Sequence, residues 1–260
     1  MDHNGPVVGH QHTITAVEAE AEADSKKPVS SVSDSTSEGA GGSSIANGED
    51  ETPIFIIVMG VAGTGKTTLA HALNAELGMP YVEGDDLHPK SNIDKMSRGQ
   101  PLEDADRFPW LHVVRREAER VVKSQIAEEE DAETRRAKGK LPRRKGVMVT
   151  CSSLKRSYRA ILRGAEAEER LGSDADGEEP TTRLPTYFVY IKEDVPVLRD
   201  RIANRQNHFM KAGMLDSQLA TLESPEGEEG VVVVPLNATT DEQVKKALEG
   251  LESLVGPLRW

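Results

Sequence analysis

The sequence has little cysteine, no long hydrophobic run and a modest share of apolar residues. One cysteine in 260 residues excludes an intramolecular disulfide and a zinc site built from several cysteines, and it fits a reducing compartment. No apolar run approaches the roughly 18 residues that a membrane-spanning helix needs; the longest are Ile54–Met59 and Val231–Val234. Hydrophobic residues make up 37% of the chain, so we expect part of it to lie outside any core.

The first residues also lack the features of a targeting segment. The start, MDHNGPVVGHQH, has neither the basic nor the apolar region of a secretory signal, and it is too acidic for a mitochondrial transit peptide. We therefore expect a cytoplasmic protein without a membrane partner. Basic residues are also fewer than acidic ones: the chain has 32 Lys and Arg and 44 Asp and Glu, which gives a net charge of −12. Spread evenly, that charge would argue against phosphate-rich partners such as nucleic acid.

The acidic excess is not spread evenly, because much of it lies in residues 1–52. This segment holds ten acidic and two basic residues, no aromatic residue and a run rich in Ser, Gly and Ala. It cannot bury enough apolar area to offset the entropy lost on ordering. We predict a disordered tail over residues 1–52 and a single domain over 53–260.

Three further charged stretches, 124–145, 164–184 and 224–230, are predicted to lie on the surface, the first two as insertions. In the first stretch, the basic run 143–145 could be a nuclear-localisation or phosphate-binding patch; a solvated helix extension and loop is the alternative that we favour. Without the tail and these stretches, the remaining core is mildly basic. The net charge therefore does not exclude anionic substrates.

Between the charged stretches, apolar strands alternate with helical patterns, which indicates a parallel α/β sheet of about five strands. The predicted strands are Ile54–Met59, Val147–Cys151, Tyr187–Ile191 and Val231–Val234, with Tyr81 and Val82 as a weaker candidate. The predicted helices are Lys66–Leu77, Trp110–Lys123, Leu154–Arg163, Val195–Arg205, Leu215–Leu222 and Asp241–Leu254.

A phosphate-binding loop directly follows the first strand. The run GVAGTGKTT over residues 60–68 fits the pattern G-x-x-x-x-G-K-[ST] between a strand and a helix, as this motif requires. Its glycines let backbone N–H groups surround the phosphates, Lys66 can reach the β- and γ-phosphates, and the Thr67 hydroxyl can bind Mg²⁺. The predicted nucleotide-binding residues of the loop are Gly60, Gly63, Thr64, Gly65, Lys66, Thr67 and Thr68.

Two large classes of nucleotide-binding proteins fit the remaining sequence poorly. GTPases need an N-K-x-D loop, which does not occur, and the D-x-x-G match at 174–177 lies in an acidic stretch with no strand before it. Motor ATPases end the third strand in an aspartate, whereas Cys151 and serines stand there. The sequence therefore gives little support for a switch or a motor.

A pair of carboxylates follows the weak second strand. In a small phosphotransferase, the carboxyl end of the strand beside the loop strand faces the γ-phosphate. Asp85 is predicted to accept the proton of the attacking hydroxyl and to help hold Mg²⁺ through its waters. Asp86 is the alternative base, and a turn or helix cap is the alternative role for the pair. Trp110 is expected in the core.

Three side chains downstream are candidates for binding the acceptor. His88 and Lys95 could hydrogen-bond a polyhydroxy substrate, and Arg107 could pair with a substrate carboxylate through two parallel bonds. Each also has a structural alternative. His88 could be a turn residue, Lys95 could be solvated, and Arg107 could pair with Asp104 or Asp106.

Three segments resemble the gluconokinase family: GDDLHPKSNIDKMSRGQPLEDADRFPWL at 84–111, CSSLKRSYRAILR at 151–163 and RQNHFMKAGMLDSQLATLESP at 205–225. With the phosphate loop before them, the similarity covers most of residues 54–237 and leaves out the tail and the two insertions. The resemblance implies a fold similar to shikimate kinase and the nucleoside monophosphate kinases. That fold is a five-stranded parallel sheet of order 2-3-1-4-5, with helices on both faces and a mobile lid.

The same resemblance implies a homodimeric enzyme that uses ATP and Mg²⁺ to phosphorylate the 6-hydroxyl of D-gluconate. It assigns Arg205 to the lid, closing on the phosphates, with His208 and Lys211 as weaker neighbours. It places Lys155 near the acceptor and Asn237 at the adenine edge. A helix-terminal cation and a solvated helix face are the alternatives for Arg205 and Lys155.

Two other functions remain open at this point. The same fold could act on another small acceptor, such as shikimate, another sugar acid or a nucleoside monophosphate. A nucleotide-binding regulatory module without chemistry is the second alternative, although a complete set of Lys66, Thr67, Asp85 and Arg205 argues against it.

Overall fold

Five parallel strands form the centre of the fold in a computed structural model of the chain. The strands are β1 (Ile54–Met59), β2 (Tyr81–Glu83), β3 (Gly146–Thr150), β4 (Thr186–Lys192) and β5 (Val231–Pro235). Their order in the sheet is β2-β3-β1-β4-β5, and every neighbouring pair is parallel. The predicted strand order and the predicted weak second strand are therefore both confirmed.

The structure describes residues 52–128, 144–164, 183–203 and 212–258. The chain divides into two units, residues 1–46 and 47–260, and all described residues belong to the second. The predicted disordered tail, most of the two predicted insertions, and the predicted lid residues Arg205, His208 and Lys211 lie outside the described residues.

Helices cover both faces of the sheet, as predicted. They are α1 (Lys66–Leu77), α2 (Lys90–Ser97), α3 (Asp104–Ala127), α4 (Arg156–Arg163), α5 (Val195–Ala203), α6 (Ala212–Thr221) and α7 (Thr240–Val255), with a 3-10 helix at Gly84–Leu87. Side chains of β1 alternate between two cores. Ile54, Ile56 and Val58 face the core formed with α1, α6 and α7, while Phe55 and Ile57 face the core formed with α3 and α4. Burial on both faces explains why β1 is a continuous apolar run.

Helix α3 begins six residues earlier than the predicted start at Trp110. A capping box explains the early start, because the Glu103 side chain accepts from the N–H of Asp106 and the Asp106 side chain accepts from the N–H of Glu103. Pro109 lies inside the second turn. Helix α2 was not predicted, because its apolar residues do not form a stripe and Ile93 is exposed.

Two of the stretches predicted to be surface elements contain a charged residue that is fixed by contacts with the rest of the domain. Arg144 is buried and donates to the carbonyl oxygens of Thr52 and Val255, so it is not part of a solvated basic patch. Glu228 accepts from the fully buried Arg159 at 2.6 Å and also pairs with Arg163, so the 224–230 turn is fastened to α4. Arg144 therefore departs from the predicted solvated patch, whereas most of the stretch 224–230 is exposed and lies on the surface, as predicted.

Among the described residues, no helix is both long enough and apolar enough to cross a membrane.

Candidate active site

The phosphate loop connects β1 to α1 and has the backbone that its glycines predict. Gly60, Gly63 and Gly65 have φ values of 144°, 83° and 90°, in the region that favours glycine. At Gly60 a side chain would also be crowded, because a Cβ would lie 3.1 Å from the carbonyl oxygen of Ile191. The loop ends at the N-terminus of α1, where helix N–H groups and the helix dipole favour an anion.

Lys66 is folded back onto the loop. Its Nζ donates to the carbonyl oxygen of Val61 at 3.2 Å, and the Thr64 hydroxyl donates to the same oxygen at 2.9 Å. Burial lowers the pKa of Lys66 below its usual value, while the charges of Asp85, Cys151 and Glu83 oppose that shift. A bound triphosphate would supply the negative charge that favours the ammonium form.

Glu83, the last residue of β2, lies beside the predicted metal-binding hydroxyl. Its carboxylate accepts from Thr67 at 3.0 Å, from Tyr81 at 2.7 Å and, through its other oxygen, from Thr150. Hydroxyl and carboxylate oxygens are the donors that Mg²⁺ prefers, and proteins usually hold this ion with one or two carboxylates plus substrate phosphates. Thr67 and Glu83 therefore fit that ion. Within the described ranges, no group of three or more acidic, His or Cys residues could hold a metal by itself.

Asp85 lies two residues beyond Glu83, in the 3-10 helix. Its side chain is 78% exposed, so it is open to a ligand in the cleft. The pKa of Asp85 is raised by burial of its surroundings and by the nearby carboxylates of Glu83 and Asp86, while Lys66 opposes the shift. Lys66 and Asp85 thus influence each other electrostatically, so the predicted base lies on the same side of the sheet as the phosphate loop.

Gly84 brings the ends of β2 and β3 together. A Cβ on this residue would lie 2.2 Å from the carbonyl oxygen of Thr150, so only glycine fits. Its own carbonyl oxygen accepts from the indole of Trp110 at 3.0 Å. Trp110 is 3% exposed, which confirms the prediction that it belongs to the core.

His88 is held by its neighbours in one orientation. Its ring stacks on Trp110 with centroids 4.0 Å apart, and Asn92 Nδ2 lies 3.3 Å from His88 Nδ1. Because Asn92 Nδ2 is a donor, Nδ1 accepts and Nε2 carries the hydrogen. Burial and the charge of Arg107 lower the pKa of His88 to about 4, so the ring is neutral at pH 7. Nε2 lies 4.0 Å from Asp85 Oδ1, at the edge of the cleft.

The first turn of α3 gathers the predicted acceptor-binding cations. Lys95 Nζ donates to Asp106 at 2.5 Å, and Lys155 Nζ donates to both oxygens of Asp104 at 2.8 and 2.7 Å. Arg107 donates instead to the Tyr158 hydroxyl at 3.4 Å. The alternative in which Arg107 pairs with Asp104 or Asp106 holds only at longer range, because its charge helps to lower the pKa of both carboxyls without a direct ion pair. Among the described residues, Arg107 has no carboxylate within ion-pair distance.

The remaining predicted site residues lie apart from this cluster or face solvent. Asp86 is exposed. Asn237 is also exposed, and its Nδ2 donates to Asp194 at 3.1 Å. Thr64 is buried in the loop, whereas Thr67 and Thr68 are exposed. Cys151 is 1% exposed and burial raises its pKa to about 11, so it packs in the core, as predicted.

Three polar residues of the site were missed in the sequence. Glu83 stands at the end of a strand beside β3, a position that could have singled it out. Asn92 lies one helical turn after His88, and the spacing gave a weak signal. Gln218 accepts from the backbone N–H of Ala62 in the phosphate loop at 2.6 Å. No local pattern could have revealed that contact, because 156 residues separate the two.

Comparisons with known proteins agree with this geometry. The profile of the AAA domain family matches residues 55–225. A gluconokinase of Gluconobacter oxydans is 42% identical over 182 residues, covering 70% of this chain and 82% of that protein. A probable gluconokinase of Schizosaccharomyces pombe is 39% identical over 200 residues, covering 76% of this chain and 88% of that protein.

A solved structure is similar as well. The crystal structure of a gluconokinase from Sinorhizobium meliloti superimposes with a TM-score of 0.58 at 36% identity, covering 78% of this chain and 94% of that one. The matched regions extend over most of the length of each relative. The chain belongs to the gluconokinase family.

Proposed function

We propose that the protein transfers the γ-phosphoryl group of ATP to the 6-hydroxyl of D-gluconate, which gives 6-phosphogluconate and ADP. The observation that carries this proposal is a phosphate loop with Lys66 whose charge acts on Asp85 just beyond β2, in a chain of the gluconokinase family. The loop supplies the phosphate site, and Asp85 supplies a base that faces it.

ATP would be held by the phosphate loop, by the N-terminus of α1 and by Lys66. Lys66 would exchange the carbonyl oxygen of Val61, 3.2 Å away, for phosphate oxygens of the nucleotide. Thr67 and Glu83 would hold Mg²⁺ together with the nucleotide, and the predicted contribution of Asp85 to the metal would run through water. The bound metal would neutralise charge that develops on the phosphate oxygens.

Asp85 would accept the proton of the attacking hydroxyl as the oxygen bonds to the γ-phosphorus and the bond to the β-phosphate oxygen breaks. Its raised pKa makes it a better proton acceptor than an ordinary aspartate. The neutral His88, with hydrogen on Nε2 beside Asp85, would donate a hydrogen bond to a hydroxyl of the acceptor. Most of the rate enhancement would come from positioning and electrostatic stabilisation.

The acceptor carboxylate would pair with Arg107. Lys95 and Lys155 already pair with Asp106 and Asp104, whereas within the described part of the chain Arg107 donates to the uncharged Tyr158 hydroxyl and forms no ion pair. A guanidinium can form two parallel hydrogen bonds with a carboxylate. Lys95 would then bind a hydroxyl group of the sugar acid, as the sequence predicts, and Lys155 would lie near the acceptor, as the resemblance implies.

Further assignments rest on the resemblance or on the sequence alone. We propose that Arg205 closes on the γ-phosphate, that Asn237 contacts adenine, and that the enzyme is a cytoplasmic homodimer. Neither nucleic acid nor membrane is proposed as a partner. Analytical ultracentrifugation would test the oligomeric state, and a sedimentation coefficient of a monomer at micromolar concentration would contradict a homodimer.

A panel of acceptors with a coupled ADP readout tests the reaction. We expect gluconate to give ADP at a rate well above that of shikimate, other sugar acids and nucleoside monophosphates. If gluconate released no more ADP than buffer alone, the proposed substrate would be wrong. Binding of ATP without turnover across the whole panel would favour the regulatory module instead.

A further inference from the structure

One peptide group of the phosphate loop is held from both sides. The carbonyl oxygen of Val61 accepts from Thr64 Oγ1 at 2.9 Å and from Lys66 Nζ at 3.2 Å. The N–H of Ala62, which belongs to the same planar peptide, donates to Gln218 Oε1 at 2.6 Å. Because three side chains hold one plane, the peptide cannot rotate without breaking all three contacts.

Gln218 reaches the loop from a distant part of the chain. It is half-buried on α6, which is anchored in the core by Leu215, only 2% exposed, and by Leu219. Val61 is part of the same core. Helix α6 begins at Ala212, seven residues after Arg205, the residue that the resemblance assigns to the lid. The contact therefore connects the phosphate loop to the helix that follows the predicted lid segment.

The contact satisfies a backbone donor that would otherwise be costly. Ala62 is only 6% exposed, and a buried N–H without an acceptor is destabilising. Rotation of the peptide would also release Lys66 and Thr64 from the Val61 carbonyl. The Lys66 ammonium group, which must bind the phosphates, would then no longer be held in one position.

We propose that Gln218 is a positioning residue for phosphoryl transfer, which acts by fixing the Val61–Ala62 peptide and thereby the phosphate loop. Gln218 binds neither substrate in this role. The consequence for turnover rests on the proposed ATP-dependent activity, whereas the consequence for the loop does not. Displacement of a reacting group by about 1 Å can cost roughly a hundredfold in rate. Loss of the hydrogen bond between Gln218 and the Ala62 N–H, which we call the clamp, should therefore lower kcat more than it changes the KM for gluconate.

Three variants of the full chain separate this role from a general effect on α6. Gln218→Met keeps the length of the side chain and removes the acceptor. Gln218→Glu keeps an acceptor oxygen. Ser217→Ala, at an exposed neighbouring position of the same helix, is the matched control.

Hydrogen exchange of the Ala62 amide, measured by NMR without nucleotide, tests the clamp directly. We expect the exchange rate to rise at least about tenfold in Gln218→Met, and to stay near the unsubstituted rate in Gln218→Glu and Ser217→Ala. An unchanged Ala62 exchange rate in Gln218→Met would overturn the proposal, whatever the activity.

Kinetics and ADP titration test the consequence for function. In Gln218→Met we expect kcat to fall by about 10- to 100-fold and the KM for gluconate to stay within about threefold. The dissociation constant for ADP should rise, and the melting temperature should fall by no more than a few degrees below that of Ser217→Ala, because one buried N–H loses its acceptor. Unchanged kcat and ADP affinity despite faster Ala62 exchange would refute the positioning role. If the unsubstituted protein did not phosphorylate gluconate, the proposed substrate would be wrong. The Ala62 exchange rate and the ADP affinity of Gln218→Met would still test whether Gln218 fixes the phosphate loop.

Discussion

At the scale of single residues, two carboxylates at the end of β2 have different surroundings. Glu83 accepts hydrogen bonds from three hydroxyl groups, including that of Thr67, whereas Asp85 is exposed to the cleft with a raised pKa. The hydroxyl contacts hold the Glu83 carboxylate in one place, whereas the Asp85 carboxylate is open to a ligand. The two residues are therefore suited to different tasks, metal binding for Glu83 and proton transfer for Asp85.

Replacement of Asp85 by Asn should remove the base. We expect kcat to fall by about 10²- to 10⁴-fold, with little change in the affinity for ATP. Because only the ionised carboxylate can accept the proton, the unsubstituted enzyme should lose activity as the pH falls through the pKa of Asp85. That acid limb should lie above 3.8, the ordinary value, and it should be absent from Asp85→Asn. Steady-state rates across pH measure both effects.

Asp86→Asn is the matched control for that substitution, because it removes a neighbouring carboxylate that is also exposed. If kcat fell as much in Asp86→Asn as in Asp85→Asn, the assignment of Asp85 as the base would be wrong.

Replacement of Glu83 by Gln should weaken metal binding. The neutral amide keeps the size of the side chain but loses the charge beside the Thr67 hydroxyl, so we expect the Mg²⁺ concentration for half-maximal activity to rise about tenfold. Saturating Mg²⁺ should restore most of the rate. Tyr81→Phe, which removes a neighbouring hydroxyl, is the control, and an unchanged Mg²⁺ requirement in Glu83→Gln would contradict the role.

Arg107 governs the carboxylate end of the acceptor in the proposed complex. Arg107→Met should raise the KM for gluconate by about 10- to 100-fold through loss of a charge-assisted pair, while the KM for ATP stays constant. Lys90→Met, which breaks an exposed pair with Asp94 on α2, is the control. Equal effects of Arg107→Met on gluconate and on an uncharged sugar alcohol would argue against a carboxylate contact.

At the scale of elements, the turn 224–230 is fastened to α4 by an ion pair. Arg159 is fully buried, and its hydrogen bonds and those of Arg163 lower the pKa of Glu228 to about 2. The folded state therefore favours the ionised carboxylate. Its stabilisation is complete above pH 4.5, the ordinary value, and is lost as the pH falls from there towards 2.

Glu228→Gln should lower the free energy of unfolding at pH 7 by about 3 kcal/mol, because a buried arginine loses its counter-charge. Urea denaturation measures the change, and the variant should lose less stability than the unsubstituted protein between pH 4.5 and 2. Glu226→Gln, in the same turn but paired with the exposed Lys192, should cost about 1 kcal/mol or less. Equal stabilities of the two variants would contradict the importance of the buried pair.

The elements also show how far the sequence predicts the fold and the site. The bounds of β1 and α1 match their predicted bounds, because a continuous apolar run and a glycine-rich loop are local signals. Helix α2 and the first turn of α3 carry polar residues that pair with each other, so periodicity missed them. The partners of Glu83 and Gln218 lie up to 67 and 156 residues away, and only the sheet order brings them together.

At the scale of the whole molecule, the net negative charge is distributed unevenly along the chain. Residues 1–50 contain nine acidic and two basic residues, although both proposed substrates are anions. Removal of these residues should leave kcat within about twofold and raise kcat/KM for ATP modestly at low salt, because long-range repulsion is reduced. The difference should vanish at about 0.5 M salt, where charges are screened. A large loss of kcat would show that the segment contributes to the site.

Trp110 gives the acceptor side of the cleft an optical reporter of its own. The chain has two tryptophans, and this one stacks on His88 and donates to the carbonyl oxygen of Gly84. The fluorescence of an indole depends on the ring stacked against it and on the acceptor of its N–H. Occupation of the cleft beside His88 and Asp85 would therefore be visible as a change in intrinsic emission, without any label and without turnover.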